Sequence, residues 1–202
     1  KDPLTWMTSM CRHHYSLYWP HDKDVHCPNL IRLGPQDFPK HAQQQQQHHG
    51  IQNQNKLFTP LTNEEQERIG EAVDVEVQYR KTNVTKHGSM AHLWNDWYEP
   101  YVDNNDDYPR LVVRFEDLLF HAKDVVSQAC HCGGGVMHDN FQYTKDSAKK
   151  GGPHQGSSGL LTSMTRYANA TLRAEPFTDK DLALASKVLN PQLMAKFNYQ
   201  MP

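Results

Sequence analysis

The stretch Lys1-Asp2-Pro3-Leu4-Thr5-Trp6-Met7-Thr8-Ser9-Met10-Cys11-Arg12 leaves the chain little local freedom. Proline breaks a helix interior, yet at the first helical position its missing N–H costs nothing, and an aspartate just before it is a good N-cap. The Asp2-Pro3 pair therefore marks a helix start. Leu4, Trp6, Met7 and Met10 supply an apolar side, and Lys1 closes the tail of a buried strand by a tight crossing. A cation beside a helix N-terminus, with a hydroxyl two turns on at Ser9, is an arrangement that can hold a phosphate. Arg12 on the same helix can assist an anion or make a surface ion pair.

A second organised unit begins at Tyr108-Pro109-Arg110. Leu111-Val112-Val113-Arg114-Phe115 is rich in β-branched residues and fits a central parallel strand. Glu116-Asp117-Leu118-Leu119 continues the crossing, and Ala122 to Cys130 reads as a helix with Val125, Val126 and Ala129 on its buried side. Gly133-Gly134-Gly135 ends it. Strand and helix together make a β-to-α crossover. The adjacent carboxylates Glu116 and Asp117 read as braces for that crossing, through hydrogen bonds or arginine pairs.

Between these units, residues 36 to 56 hold Gln43 through Gln47 followed by His48 and His49, too little apolar area to offset ordering, so a flexible insertion is expected. Thr62 or Asn63 caps a short acidic helix. Val73, Val75 and Val77 alternate with Asp74 and Glu76 as a half-buried strand. Met90, Leu93, Trp94 and Trp97 form the apolar side of an aromatic helix expected to end near Pro100, with His92 and Asn95 on another side. The aromatics of Tyr15 to Trp19 either pack or line a substrate approach. Lys145 to Gly159 is a glycine-rich basic loop, in which Lys149-Lys150-Gly151 is a second candidate anion site. It is not a Walker A sequence, because the Gly-Lys-Ser/Thr ending is absent. Thr178 caps a helix over residues 181 to 189, and Pro191 opens a last short one.

The bulk chemistry narrows the rest. A chain of 202 residues suffices for one substantial domain. A net charge of -2 gives no electrostatic argument for a nucleic-acid partner. No apolar run approaches the roughly 20 residues that span a bilayer. Cys11, Cys27, Cys130 and Cys132 are too few for a disulfide scaffold, and their connectivity stays open. Cys130-His131-Cys132 with His138 does not match a Cys-x-x-Cys zinc hook, and no metal site is assigned. Asn83-Val84-Thr85 and Asn169-Ala170-Thr171 are glycosylation sequons, usable in a secretory lumen.

Lys1, Pro3 and Ser9 together resemble the 3'-phosphate-binding segment of the PAPS-dependent sulfotransferases, where a strand ends in Arg-x-Pro and a serine follows eight residues after the arginine. Lys1 stands where that family has arginine. Arg114-Phe115-Glu116-Asp117-Leu118 resembles its Arg-Tyr-Glu-Asp-Leu motif, Lys149-Lys150-Gly151 its late Arg-Lys-Gly loop, and Phe197-Asn198-Tyr199 its Phe-Gly-Tyr ending. The resemblance implies an α/β class, a partial P-loop-like sulfotransferase fold with a parallel sheet flanked by helices. It implies PAPS as donor cosubstrate, held by Lys1, Ser9, Arg12, Lys149, Lys150 and Gly151, and a sulfonate acceptor with a hydroxyl or amine. The catalytic base is unassigned. Residues 1–202 are expected to be the C-terminal portion of one divergent sulfotransferase domain, inactive alone for want of an early 5'-phosphate loop. A membrane-attached Golgi glycoprotein, anchored upstream, is the implied setting, with the cytoplasm as alternative. A P-loop nucleotide-binding or kinase-like domain and a non-catalytic interaction domain are the competing readings.

Overall fold

A computed structural model describes residues 1–20, 26–34, 37, 62–80, 82–103, 110–143 and 159–202. Helix α1 spans Pro3–Arg12 and starts where the sequence places it. Asp2 caps it, its Oδ1 accepting the Thr5 N–H at 3.0 Å. Met7 is fully buried, with Leu4, Met10 and Cys11 beside it. The chain then crosses a two-residue strand, β1 (Leu17–Tyr18), and helix α2 (Asn63–Glu67) precedes strands β2 (Val75–Arg80) and β3 (Asn83–His87).

The sheet runs β1-β2-β3 and every pairing is antiparallel. This corrects the parallel, P-loop-like sheet. Of the expected alternation, Val75 and Val77 lie on β2 and are buried, and Val73 is buried just ahead of the strand. Strand β3 follows β2 through a hairpin, and a hairpin joins antiparallel strands. The expected central strand at residues 111–115 does not form. Residues 110–114 pair with no strand among the described residues, and Phe115–Phe120 is instead a helix, α4. Glu116 and Asp117 occupy its first turn, where acidic side chains favour helix over strand.

Helix α3 (Met90–Asp103) is the spine of the core. Met90, Leu93 and Trp94 are buried as the periodicity requires, whereas Trp97 is 43% exposed. The helix runs past Pro100 rather than ending there. Helix α5 (Ala122–Cys132) stops at the expected glycines, with Gly134 at φ +72°, but it buries none of its residues. Val125, Val126 and Ala129 therefore do not reach the core. Helices α6 (Leu160–Ala168) and α7 (Ala170–Ala174) follow. Helix α8 (Asp179–Val188) begins with a reciprocal capping box between Thr178 and Asp181, and α9 (Pro191–Lys196) opens on its proline.

The core joins α1, the inner side of β2, α3, α8 and α9 through Met7, Leu30, Val75, Leu93, Trp94, Ala185, Leu189, Leu193 and Met194. Cys11 and Cys27 form a disulfide that pins the last turn of α1 to the 26–34 segment. Cys130 and Cys132 are free thiols. No helix among the described residues is long and apolar enough to cross a membrane. This agrees with the lack of a long apolar run, and it corrects the membrane assignment as far as these residues go, since none of their helices supplies a span.

Candidate functional site

The site grows from the head of α1. Two turns of helix return Ser9 to the side on which Lys1 stands, and Lys1 Nζ donates to Ser9 Oγ at 3.2 Å. Ser9 Oγ in turn donates to the Trp6 carbonyl at 2.7 Å, so its oxygen is free to accept from the ammonium. The Lys1 ammonium lies 5.3 Å from the centre of the Phe115 ring and 5.4 Å from that of Tyr167. Both rings supply cation–π attraction in place of water.

Burial, then the Arg12 charge, lowers the Lys1 pKa to about 8, although Glu116 and Asp2 pull the other way. Burial, with Glu116 adding to it, pushes the Tyr167 phenol up to about 12, so it stays a neutral donor. A partly desolvated cation with a second cation nearby is a place where an incoming anion is stabilised on arrival.

Beside this pair lies a cavity of about 160 Å³ lined by Thr5, Thr8, Arg12, Arg166, Tyr167 and Arg173, with Glu175 as the one carboxylate in its wall among the described residues. Thr5, Thr8 and Arg12 come from one face of α1, Arg166 and Tyr167 from α6, and Arg173 from α7. Arg173 is held in place by the Tyr167 carbonyl and by Asp2, whose Oδ2 is 3.9 Å from its Nε. Drug-sized ligands occupy roughly 300–1,000 Å³. The cavity is thus of a size for one phosphate or sulfate group.

Of the sequence candidates, Lys1, Ser9 and Arg12 come together here. Lys149, Lys150 and Gly151 lie outside the described residues. Arg166, Tyr167 and Arg173 are additions that sequence reasoning passed over. Their trace is two arginines seven positions apart in the C-terminal helical region, and nothing in that spacing says that they face α1.

Glu116 and Asp117 prove to be braces. Glu116 accepts the Asp2 N–H at 3.0 Å on one oxygen and the Tyr199 hydroxyl at 2.8 Å on the other. Asp117 pairs with Arg114, whose guanidinium also reaches the carbonyls of Phe197 and Asn198 at 3.0 and 3.3 Å. The Arg114-Phe115-Glu116-Asp117 motif therefore ties the head of α1 to the chain's last turn. Asn198 there has φ +54°, a left-handed conformation that glycine or asparagine adopts most readily. His92, an acid–base candidate by residue type, has its Nδ1 2.9 Å from Ser89 Oγ at the start of α3, where it packs.

No family model, curated protein or solved structure matches this chain.

Proposed function

We propose that this site binds the 3'-phosphate of PAPS and that the chain takes part in sulfonate transfer from PAPS to a hydroxyl or amine acceptor. The observation that carries the reading is the Lys1–Ser9 contact beside the Arg12–Arg166–Arg173 cavity. Lysine and serine eight residues apart meet in space, and three guanidinium groups line the adjoining wall. A phosphate monoester is close to a dianion at neutral pH and needs such charge-assisted donors. Lys1 replaces the arginine of the sulfotransferase segment, which keeps the charge and gives up bidentate geometry. Arg12, Arg166 and Arg173 compensate with forks of their own. The identity of the donor rests on the resemblance of the Lys1–Ser9 and Arg114–Leu118 segments. The site residues bind and orient, and the acceptor's proton is left to a base that these residues do not include.

The test is selectivity for the 3'-phosphate. Calorimetric titration should show adenosine 3',5'-bisphosphate binding at least tenfold more tightly than adenosine 5'-monophosphate, since a hydrogen bond to a charged group is worth about 1.5–3 kcal/mol. Equal affinity for the two nucleotides contradicts the reading.

A further inference from the structure

A different part of the molecule, the β2–β3 hairpin, carries an inference of its own. Asn83 opens β3 and is exposed, and Val84 beside it is 44% exposed. Thr85, two residues on, completes an Asn-x-Thr sequon. The β2–β3 register pairs Asn83 with Arg80 and then Val84 with Gln78, so Tyr79 bulges out of the ladder. The displaced Tyr79 stacks on Trp97 of α3, ring centres 6.1 Å apart, and both rings are exposed by more than two-fifths. Thr85 and His87 point to the α3 side of the sheet, because Thr85 Oγ1 meets His87 Nε2 at 2.9 Å and His87 Nδ1 meets Asp96 of α3. Strand alternation puts Asn83 on that same side of the sheet, the side on which Trp97 of α3 lies.

The second observation is independent of the hairpin. The Cys11–Cys27 disulfide joins α1 to the 26–34 segment. Structural disulfides belong to oxidising compartments such as the secretory lumen, where sequons are read. An exposed sequon asparagine and a disulfide agree on one setting, and the aromatic pair lies exposed beyond the sequon.

We propose that Asn83 carries an N-linked glycan, acquired in an oxidising secretory compartment, whose first sugars cover Tyr79 and Trp97. The co-reactant is a lipid-diphosphate-linked oligosaccharide. The Asn83 amide nitrogen attacks its anomeric carbon, an N–C bond forms and the C–O bond to the diphosphate breaks. The lipid diphosphate leaves with the bonding pair, and the amide gives up one proton. The other sequon is placed differently. The Asn169 side chain caps α7 by accepting the Leu172 N–H at 3.2 Å, and Leu172 and Arg173 line the anion cavity, so a glycan there would stand at its mouth.

The experiment is a peptide map of the native protein from its own cells. The protein is digested without reduction and treated with peptide-N-glycosidase in heavy-oxygen water. Heavy aspartate at position 83 and a linked Cys11–Cys27 peptide pair are expected in most molecules. An unmodified Asn83, a glycan at Asn169 alone, or free thiols at Cys11 and Cys27 overturns the proposal. In full-length chain secreted from a eukaryotic host, Thr85→Ser should keep the glycan and Thr85→Val should lose it. Retention in Thr85→Val also overturns it.

Discussion

At the scale of single residues, Lys1 carries the most specific consequence. Its folded-state pKa of about 8 lies below the 10.5 of an unperturbed lysine, with burial the main cause and Arg12 the second. Between those values the unfolded chain binds more protons than the folded one, so this residue's contribution to stability rises with pH through that window. Ligand binding moves the other way. A phosphate prefers the protonated ammonium, so affinity for adenosine 3',5'-bisphosphate should hold between pH 7 and about 8 and weaken above it. The Lys1→Arg variant keeps its charge throughout, because a guanidinium does not deprotonate in this range. Titrations at successive pH values check this: wild type should lose affinity toward pH 9 while Lys1→Arg does not. Parallel curves for the two proteins would remove Lys1 from the site. Asp181 shows what full satisfaction of a buried carboxylate looks like. Burial raises its pKa, yet bonds from His26, Thr178 and Leu30 outweigh that and hold it below the usual range. Its oxygens accept from the backbone of Leu30 at 2.8 Å and Ile31 at 3.2 Å, which fixes the 26–34 segment on α8.

At the scale of elements, that segment has a second tie in the Cys11–Cys27 disulfide. It spans 16 residues of sequence, and closing a loop of this size restricts the unfolded chain by about 3 kcal/mol. The Cys11→Ala/Cys27→Ala double variant should lose about that much in urea denaturation, and a loss below about 1 kcal/mol would place the stability elsewhere. The helices legible in the sequence are those with local punctuation: Asp2-Pro3 before α1, Thr178 with Asp181 before α8, Asn190-Pro191 before α9, and the glycines after α5. Caps and breakers act within a few residues, so they can be read without the fold. Residues 111–115 were misread for the opposite reason. A run of Leu, Val and Phe becomes a strand only when a neighbour supplies the ladder, and that information is not local. Helix α5 fails likewise. Its apolar spacing is correct, but none of its residues is buried. In the candidate site, Lys1 and Ser9 were legible because one helix sets their spacing. Arg166 and Arg173 were not, because their approach to α1 depends on how α6 and α7 pack.

At the scale of the whole molecule, burial is uneven. Trp94 sits at the centre, 1% exposed and edge-on to Phe197 and Tyr199, while Leu111, Val112, Leu118 and Leu161 face outward at 42% to 79%. Helices with few buried contacts open locally at low cost, whereas core helices exchange only on global unfolding. Hydrogen exchange should therefore find the α3 amides from Leu93 to Tyr98 the most protected and those of α5 among the least. Equal protection of the two would contradict this partition. The proposed anion site lies where the two regimes meet, with α1 anchored in the core and α6 and α7 brought against it. Lys1 helps to join them, with Ser9 on one side and the Phe115 and Tyr167 rings on the other, as does the Asp2–Arg173 pair. The most direct measurement is calorimetric titration of adenosine 3',5'-bisphosphate into the wild-type chain and Lys1→Gln at pH 7. The account predicts binding by the wild type and at least a tenfold loss in Lys1→Gln, at unchanged circular dichroism. Equal affinity in the two proteins, or no binding by the wild type, would contradict it.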